Sequence, residues 1–300
     1  MYDIIIVGGG PAGLTAALYA RRAGRSVLIV EKNGFGGQMT FSPKIENYPA
    51  FASISGSELA DKMVDQTLNA GADVEIGEVT GVERAADGFC VRCGDASFAA
   101  RAVILATGAK HRLLHVPGEE RFIGDGISFC AVCDGAFYAG KTVAVIGGGN
   151  SALQEALLLA ETSARVIVVQ NLETFTGERS LVELLLARPN VEVMFGSTVA
   201  EFVGEDTLSG VVVENAAKER RTLEVDGVFV AIGLAPENGA FEPLVRLDGG
   251  YIDAGEDCLT SAAGIFTAGD CRTKRVRQIT TAVADGASAA LAACAYLERE

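Results

Sequence analysis

Three hundred residues, 49% hydrophobic and 21% charged, leave room for two ordinary domains with their own cores and exclude a disordered or fibrous chain. A formal net charge of −14 argues against nucleic acid as a partner, because counterion release needs a basic face. Seven cysteines, an odd number, and only two histidines make neither a secreted disulfide framework nor a zinc set, so free thiols, a cytoplasmic setting and no structural metal are expected.

The chain opens on an apolar run, YDIIIV (2–7). It is too short to cross a bilayer and lacks the basic leader of a signal peptide, so it reads as a buried strand. The run begins a segment, 3–32, with the plan strand, glycine turn, Ala/Leu-rich helix, strand, and the same plan returns at 142–171. A helix of this length between parallel strands is the βαβ unit, which predicts an α/β fold of two Rossmann-like, three-layer domains. Apolar strands ending in glycine follow at 102–110 and 227–236, and a third, GIFTAGD (264–270), precedes an alanine-rich helical tail. If that tail returns to the first domain, that domain is discontinuous, 1–110 with 245–300, and 111–244 is inserted into it. The linkers would be KHRLLHVPGEE and PENGAFEPL, which have the proline, glycine and charge of connections.

In the first βαβ unit Gly8, Gly10 and Gly13 form GxGxxG after the strand and at the helix start. The first permits the tight turn, the second lets backbone approach a pyrophosphate, and the third lets helix and strand pack closely. Glu31 ends the next strand, where a carboxylate can accept from ribose hydroxyls, and the set predicts a bound dinucleotide. Further on, GISFCAVCDG carries Cys130, Cys133 and Asp134. A disulfide there closes a very short loop and restrains the unfolded chain little, so the pair reads as redox-active, with Asp134 placed to pass a proton to a leaving thiolate. Cys90 and Cys93 fall on opposite faces of an alternating strand and do not complete a metal site.

The succession VGGGPAG, GGQ, IENYP, ATGA, CAVCDG, VIGGGNSA, FVAIG, AGD and RQITTAVADG runs the length of the chain and resembles the low-molecular-weight thioredoxin reductases. The resemblance implies FAD in the first domain, the redox pair on the second, a homodimer, and a thioredoxin-like protein as substrate. Carried onto matching positions, Gly8, Gly10, Pro11, Ala12, Gly13, Glu31 and Lys32 would hold the adenosine and pyrophosphate. Gly37, Gln38 and Asn47 would lie along the flavin and ribityl chain, with Thr107 and Gly108 nearby. Asp270 would meet the ribityl or phosphate region, and Arg277, Gln278 and Ile279 would start a helix aimed at the pyrimidine end. By the same resemblance Cys133 faces the flavin and Cys130 attacks the substrate.

NADPH-dependent members follow the second glycine turn with a His-Arg-Arg run and a later arginine, which meet the 2′-phosphate. Here those positions are Gln170, Asn171, Leu172 and Thr176. Losing two or three charge-assisted contacts, roughly 1.5–3 kcal/mol each, removes orders of magnitude of NADPH affinity. NADH would want an acid where Gln170 stands; Glu173 is three residues beyond. The chain is thus closest in kind to the ferredoxin-dependent flavin thioredoxin reductases, and an acidic ferredoxin would need a basic patch. Arg272, Lys274, Arg275 and Arg277 are the first choice for it, Arg21, Arg22 and Arg25 the second. Two other readings stay open: an NAD(P)H-dependent thioredoxin reductase with an atypical nicotinamide site, and a flavin-bearing redox sensor or binding module without turnover.

Overall fold

The computed structural model describes residues 1–42 and 44–299. The chain divides into two compact units, Met1–Pro43 with Tyr48–Lys110 and Ala235–Glu300, and Lys44–Asn47 with His111–Leu234. The later boundary falls ten residues before the expected 245, and the cause is Asn238, which is fully buried. Its amide donates to the Gly250 and Cys271 carbonyls (both 2.9 Å) and its Oδ1 accepts from the Thr107 hydroxyl at 2.8 Å, tying the segment to the first unit. The segment 44–47 sides with the second unit, where the Lys44 ammonium lies 4.8 Å from the centroid of the Phe137 ring, a cation–π contact.

In the first unit a parallel sheet runs in the order Asp73–Ile76, Val27–Glu31, Tyr2–Val7, Ala96–Leu105, with Ile265–Thr267 beside the last and an antiparallel hairpin, Val79–Ala85 and Gly88–Cys93, extending the edge. Ile4 and Ile6 enter one core cluster and Ile5 and Val7 another, as the two-residue period of a strand covered on both faces requires. The helix Pro11–Arg22 starts at an extended Gly10 with proline in its first turn, where a missing N–H costs nothing. It packs closely against both neighbours. A Cβ on Gly13 would stand 1.9 Å from the Gly8 carbonyl oxygen, and one on Gly286 would stand 2.2 Å from that of Ala12.

Gly286 belongs to the C-terminal helix Ile279–Leu297. By length and composition this helix could cross a membrane, yet Ala282, Asp285, Ala289, Ala290 and Ala293 are buried along it. Asp285 takes Arg272 in a bidentate pair (2.9 Å to each oxygen), the Lys274 ammonium at 2.8 Å and the Gly269 amide at 3.0 Å. Burial would raise the Asp285 carboxyl, but Arg272 and Lys274 outweigh it and hold it below the usual range.

This network corrects the expected docking patch. Arg272 is 1% exposed, the Lys274 side chain 4%, and Arg277 lies over the Tyr251 ring at 4.4 Å, so of that run only Arg275 is an exposed cation. In the second choice, Arg21 donates to the Ala70 and Arg25 carbonyls and Arg25 pairs with Glu298, leaving Arg22 exposed.

The second unit has a five-stranded parallel sheet, Val191–Met194, Arg165–Val169, Thr142–Ile146, Gly227–Val230 and Ile127–Ser128, with a three-stranded antiparallel sheet formed by Ser197–Gly204, Leu208–Asn215 and Arg220–Glu224. Its strand Thr142–Ile146 again splits its side chains, Val143 and Val145 to one cluster, Ala144 and Ile146 to the other.

Candidate active site

The first glycine turn presents an open cradle. Gly8 sits at φ +110°, in the left-handed region, and a Cβ there would strike the Ala106 carbonyl oxygen at 2.3 Å; glycine is required. At Gly10 the nearest atom to an added Cβ is the Gly37 Cα, 3.9 Å away, so the side-chain space above the helix N-terminus is free. Glu31 stands beside the turn, one carboxylate oxygen accepting from the Gly9 amide at 2.6 Å and the other from the Asn33 amide at 2.9 Å. The Thr107 amide nitrogen would stand 3.3 Å from a Cβ on Gly8, and Gly108 has nothing within 4 Å of an added Cβ. Asp270 arrives next to Gly269, whose added Cβ would stand 2.9 Å from that of Ala12. Its Oδ1 is enclosed and has no hydrogen-bond partner, and burial, opposed by Lys274 and Arg277, raises its carboxyl above the ordinary value. An orphaned acceptor beside a glycine cradle whose backbone is unobstructed by side chains fits a hydroxyl- and phosphate-bearing dinucleotide such as FAD.

The other carried-over positions are disposed as follows. Pro11 and Ala12 open the helix, and Gln38 is exposed on the short 3-10 turn Gly37–Phe41. Lys32 is committed to Glu237 and, at 3.7 Å, to Glu78. Asn47 lies in the segment grouped with the second unit. Arg277 donates to the Asp270 and Arg272 carbonyls (both 3.4 Å), Gln278 caps the C-terminal helix in a capping box with Thr281, and Ile279 is its first residue. Sequence reasoning missed Asn238 and Asp285, which hold Thr107 and the 269–274 loop. An aspartate inside an alanine-rich helix was the available signal for the latter.

In the second unit Cys130 and Cys133 form a disulfide, their Cα atoms 5.3 Å apart, at the one-turn helix Ala131–Asp134. Val132, between them, is 60% exposed, and the two cysteines themselves are half-buried. The Ser128 hydroxyl donates to Asp134 Oδ2 at 2.5 Å and its oxygen accepts from the Cys130 amide at 3.1 Å. That serine, two residues before the first cysteine, was also missed. Asp134 Oδ1 is enclosed without a partner; burial raises its carboxyl against the opposing Ser128 hydrogen bond, which favours the protonated, donating form. His111 stacks on Phe129 at 4.7 Å, and burial lowers its imidazole to about 4.

The second glycine turn has the same shape with a different lining. Gly147 is at φ +132°, and a Cβ on Gly149 would find nothing nearer than the Thr176 hydroxyl at 3.8 Å. Gln170 is 3% exposed; its amide donates to the Thr174 carbonyl at 3.0 Å and its side chain fills the space against Gly148. Glu173 turns toward Gly196. Thr176 donates to the Gly148 carbonyl at 3.3 Å. Asn150, the first residue of the following helix, binds Glu178 through its amide (3.1 Å) and accepts from the Glu178 backbone (2.7 Å). A carboxylate therefore lies beside this turn, and residues 170, 171, 172 and 176 carry no cation.

The pyridine nucleotide-disulphide oxidoreductase family pattern matches residues 2–286. A thioredoxin reductase of Treponema pallidum is 40% identical over 299 residues, covering 99% of this chain and 97% of its own. A 34.2 kDa protein in the rubredoxin operon of Clostridium pasteurianum is 38% identical over 298 residues, covering 98% and 97%. The crystal structure of thioredoxin reductase from Streptococcus pyogenes superposes with a TM-score of 0.96 at 42% identity, covering 100% of this chain and 99% of that one. By this family match and these identities over nearly its whole length, the chain belongs to the pyridine nucleotide-disulphide oxidoreductases and, among them, to the low-molecular-weight thioredoxin reductases.

Proposed function

We propose that this protein is a cytoplasmic, homodimeric flavoprotein that reduces the disulfide of thioredoxin or a thioredoxin-like protein through Cys130 and Cys133, drawing electrons from a donor other than NADPH. The thioredoxin reductases at about 40% identity over nearly the whole chain support the substrate and the chemistry. Bound FAD would supply two electrons to the pair, held by the Gly8–Gly13 turn, Glu31 and Asp270. The rest falls to the chain's own side chains. As the disulfide opens, Asp134, whose carboxyl burial raises and Ser128 hydrogen-bonds, passes a proton to the departing sulfur and takes it back before that sulfur attacks. The exposed Val132 turn lets a substrate disulfide meet Cys130, whose thiolate attacks; Cys133 then displaces the reduced substrate and the disulfide closes again.

The observation that carries the donor reading is Gln170, buried and spent on its own loop at the first of the positions where the NADPH-dependent members have their His-Arg-Arg run. An electron-carrier protein, ferredoxin being the example, is the class we propose; with Arg272 and Lys274 buried, its docking would use Arg275 and Arg22 at most from the two basic runs. A nicotinamide donor is the second reading, favoured by the intact turn at Gly147 and Gly149. The enzyme assignment is tested by Cys130→Ser. It should keep bound FAD and lose thioredoxin reduction with any donor; retained turnover would refute the assignment.

A further inference from the structure

Among the described residues four buried side-chain atoms lack a hydrogen-bond partner, and two are carboxyl oxygens at the redox helix, Asp134 Oδ1 and Glu155 Oε2. The mechanism uses the first and leaves the second unexplained. Glu155 lies on the helix Asn150–Ala160, one turn before Leu159, whose methyl would stand 3.2 Å from a Cβ on Gly135. Residues four apart share a helix face, so Glu155 faces the same segment, and its carboxyl meets the backbone amide of Ala131, the residue that follows Cys130. An enclosed acceptor costs free energy that an apolar side chain of the same size would not, so packing alone does not account for a glutamate here.

We propose that Glu155 is a positioning residue for the redox pair: an acid with one enclosed oxygen, seated against Ala131, whose ionisation is coupled to thiolate formation at Cys130. The inference rests on the reading of Cys130 and Cys133 as the working pair. Burial raises the Glu155 carboxyl to about 8, so it is protonated at neutral pH. The elements packed against its helix carry Asp134 on the redox helix and Tyr138 on the turn after it; Arg165 on the neighbouring strand and Arg179 and Glu183 on the next helix are exposed and paired, Arg165 with Glu192 and Arg179 with Glu183. None supplies a cation to Glu155. Reduction by dithiothreitol breaks the S–S bond and moves two electrons and two protons to the pair, while the reagent's own thiols close into a ring disulfide. At alkaline pH Cys130 stays a thiolate and releases its proton. A carboxylate beside that new negative charge takes a proton up, so the pair and Glu155 share one.

The test is redox equilibration of the full protein with dithiothreitol buffers from pH 6 to 10, read by thiol trapping and mass, in wild type, Glu155→Gln and Asp134→Asn. Wild type and Glu155→Gln should coincide below about pH 7. Above about pH 8 wild type should bind more protons on reduction and become harder to reduce than Glu155→Gln, the ratio of equilibrium constants growing by up to about tenfold per pH unit at full coupling. Asp134→Asn should keep that divergence when compared with the double variant. Equal pH dependence in wild type and Glu155→Gln, or a constant offset at every pH, overturns the inference while leaving the redox pair intact. A pair that dithiothreitol does not open in wild type refutes the underlying reading instead. Should Glu155→Gln not fold, Glu155→Leu carries the same expectation.

Discussion

The two glycine turns share a backbone and differ in what surrounds it. In the first, Glu31 grips the Gly9 amide, Gly37 stands back from Gly10, and Asp270 brings an unpaired oxygen. In the second, Gln170 folds back on Thr174, Thr176 takes the place beside Gly149 that Gly37 has beside Gly10, and Ala152 stands where the first turn has Gly13. The glycine pattern therefore reports chain geometry, and the residue at the end of the following strand reports the ligand. One turn has a carboxylate and an unpaired acceptor beside it, and the other keeps the shape with an amide and a threonine in those surroundings.

The comparison breaks most visibly if side chains are put into both cradles. Gly10→Asp should give a colourless protein with no FAD, whereas Gly149→Asp should retain the flavin spectrum and turnover with a protein donor; equal loss in both would mean that the second turn also binds a nucleotide. Next in size is Asp285, which neutralises two buried cations beside Asp270. Asp285→Ala leaves the buried Lys274 without its carboxylate and Arg272 with only the exposed Glu256 at 3.1 Å, and should cost about 3–5 kcal/mol, read as a drop in Tm with weaker FAD retention.

His111 belongs to the second unit alone. Its folded value, about 4, lies below the ordinary 6.5, so the unfolded chain binds the proton first and stability falls as pH drops from 6.5 toward 4, by at most roughly 1.4 kcal/mol per pH unit. His111→Phe should flatten that part of a denaturation-versus-pH curve. The smallest effect sharpens the comparison by rebuilding the missing grip. Asn171→Arg with Leu172→Arg, both at exposed positions, should gain about 1 kcal/mol or more of NADPH binding. Calorimetric titration reads the change, and a variant no better than wild type would place the obstacle elsewhere, Glu178 first.

The strands, both turns and the cysteine pair were legible because they rest on local pattern: a two-residue or 3.6-residue period, glycine at fixed offsets, two cysteines one helical turn apart. What was not legible rests on distance in sequence. Asn238 joins Thr107 across 131 residues, and Glu155 meets Ala131 from a different helix. The run from Arg272 to Arg277 looked like a basic surface because a one-dimensional reading cannot place Asp285, thirteen residues on, inside its fork. Ser128 lay close to Cys130 and was passed over because a serine beside a cysteine has no distinguishing spacing.

The central claim is that electrons reach the cysteines without passing through a nicotinamide held at the second turn. It is tested most directly by adding NADPH, NADH or reduced ferredoxin to the FAD-bound protein under anaerobic conditions, following flavin absorbance and the appearance of thioredoxin thiols together. Bleaching and thiol formation with ferredoxin, and neither with the two nicotinamides, is the predicted result; rapid bleaching by NADPH or NADH with matching thiol formation would contradict it.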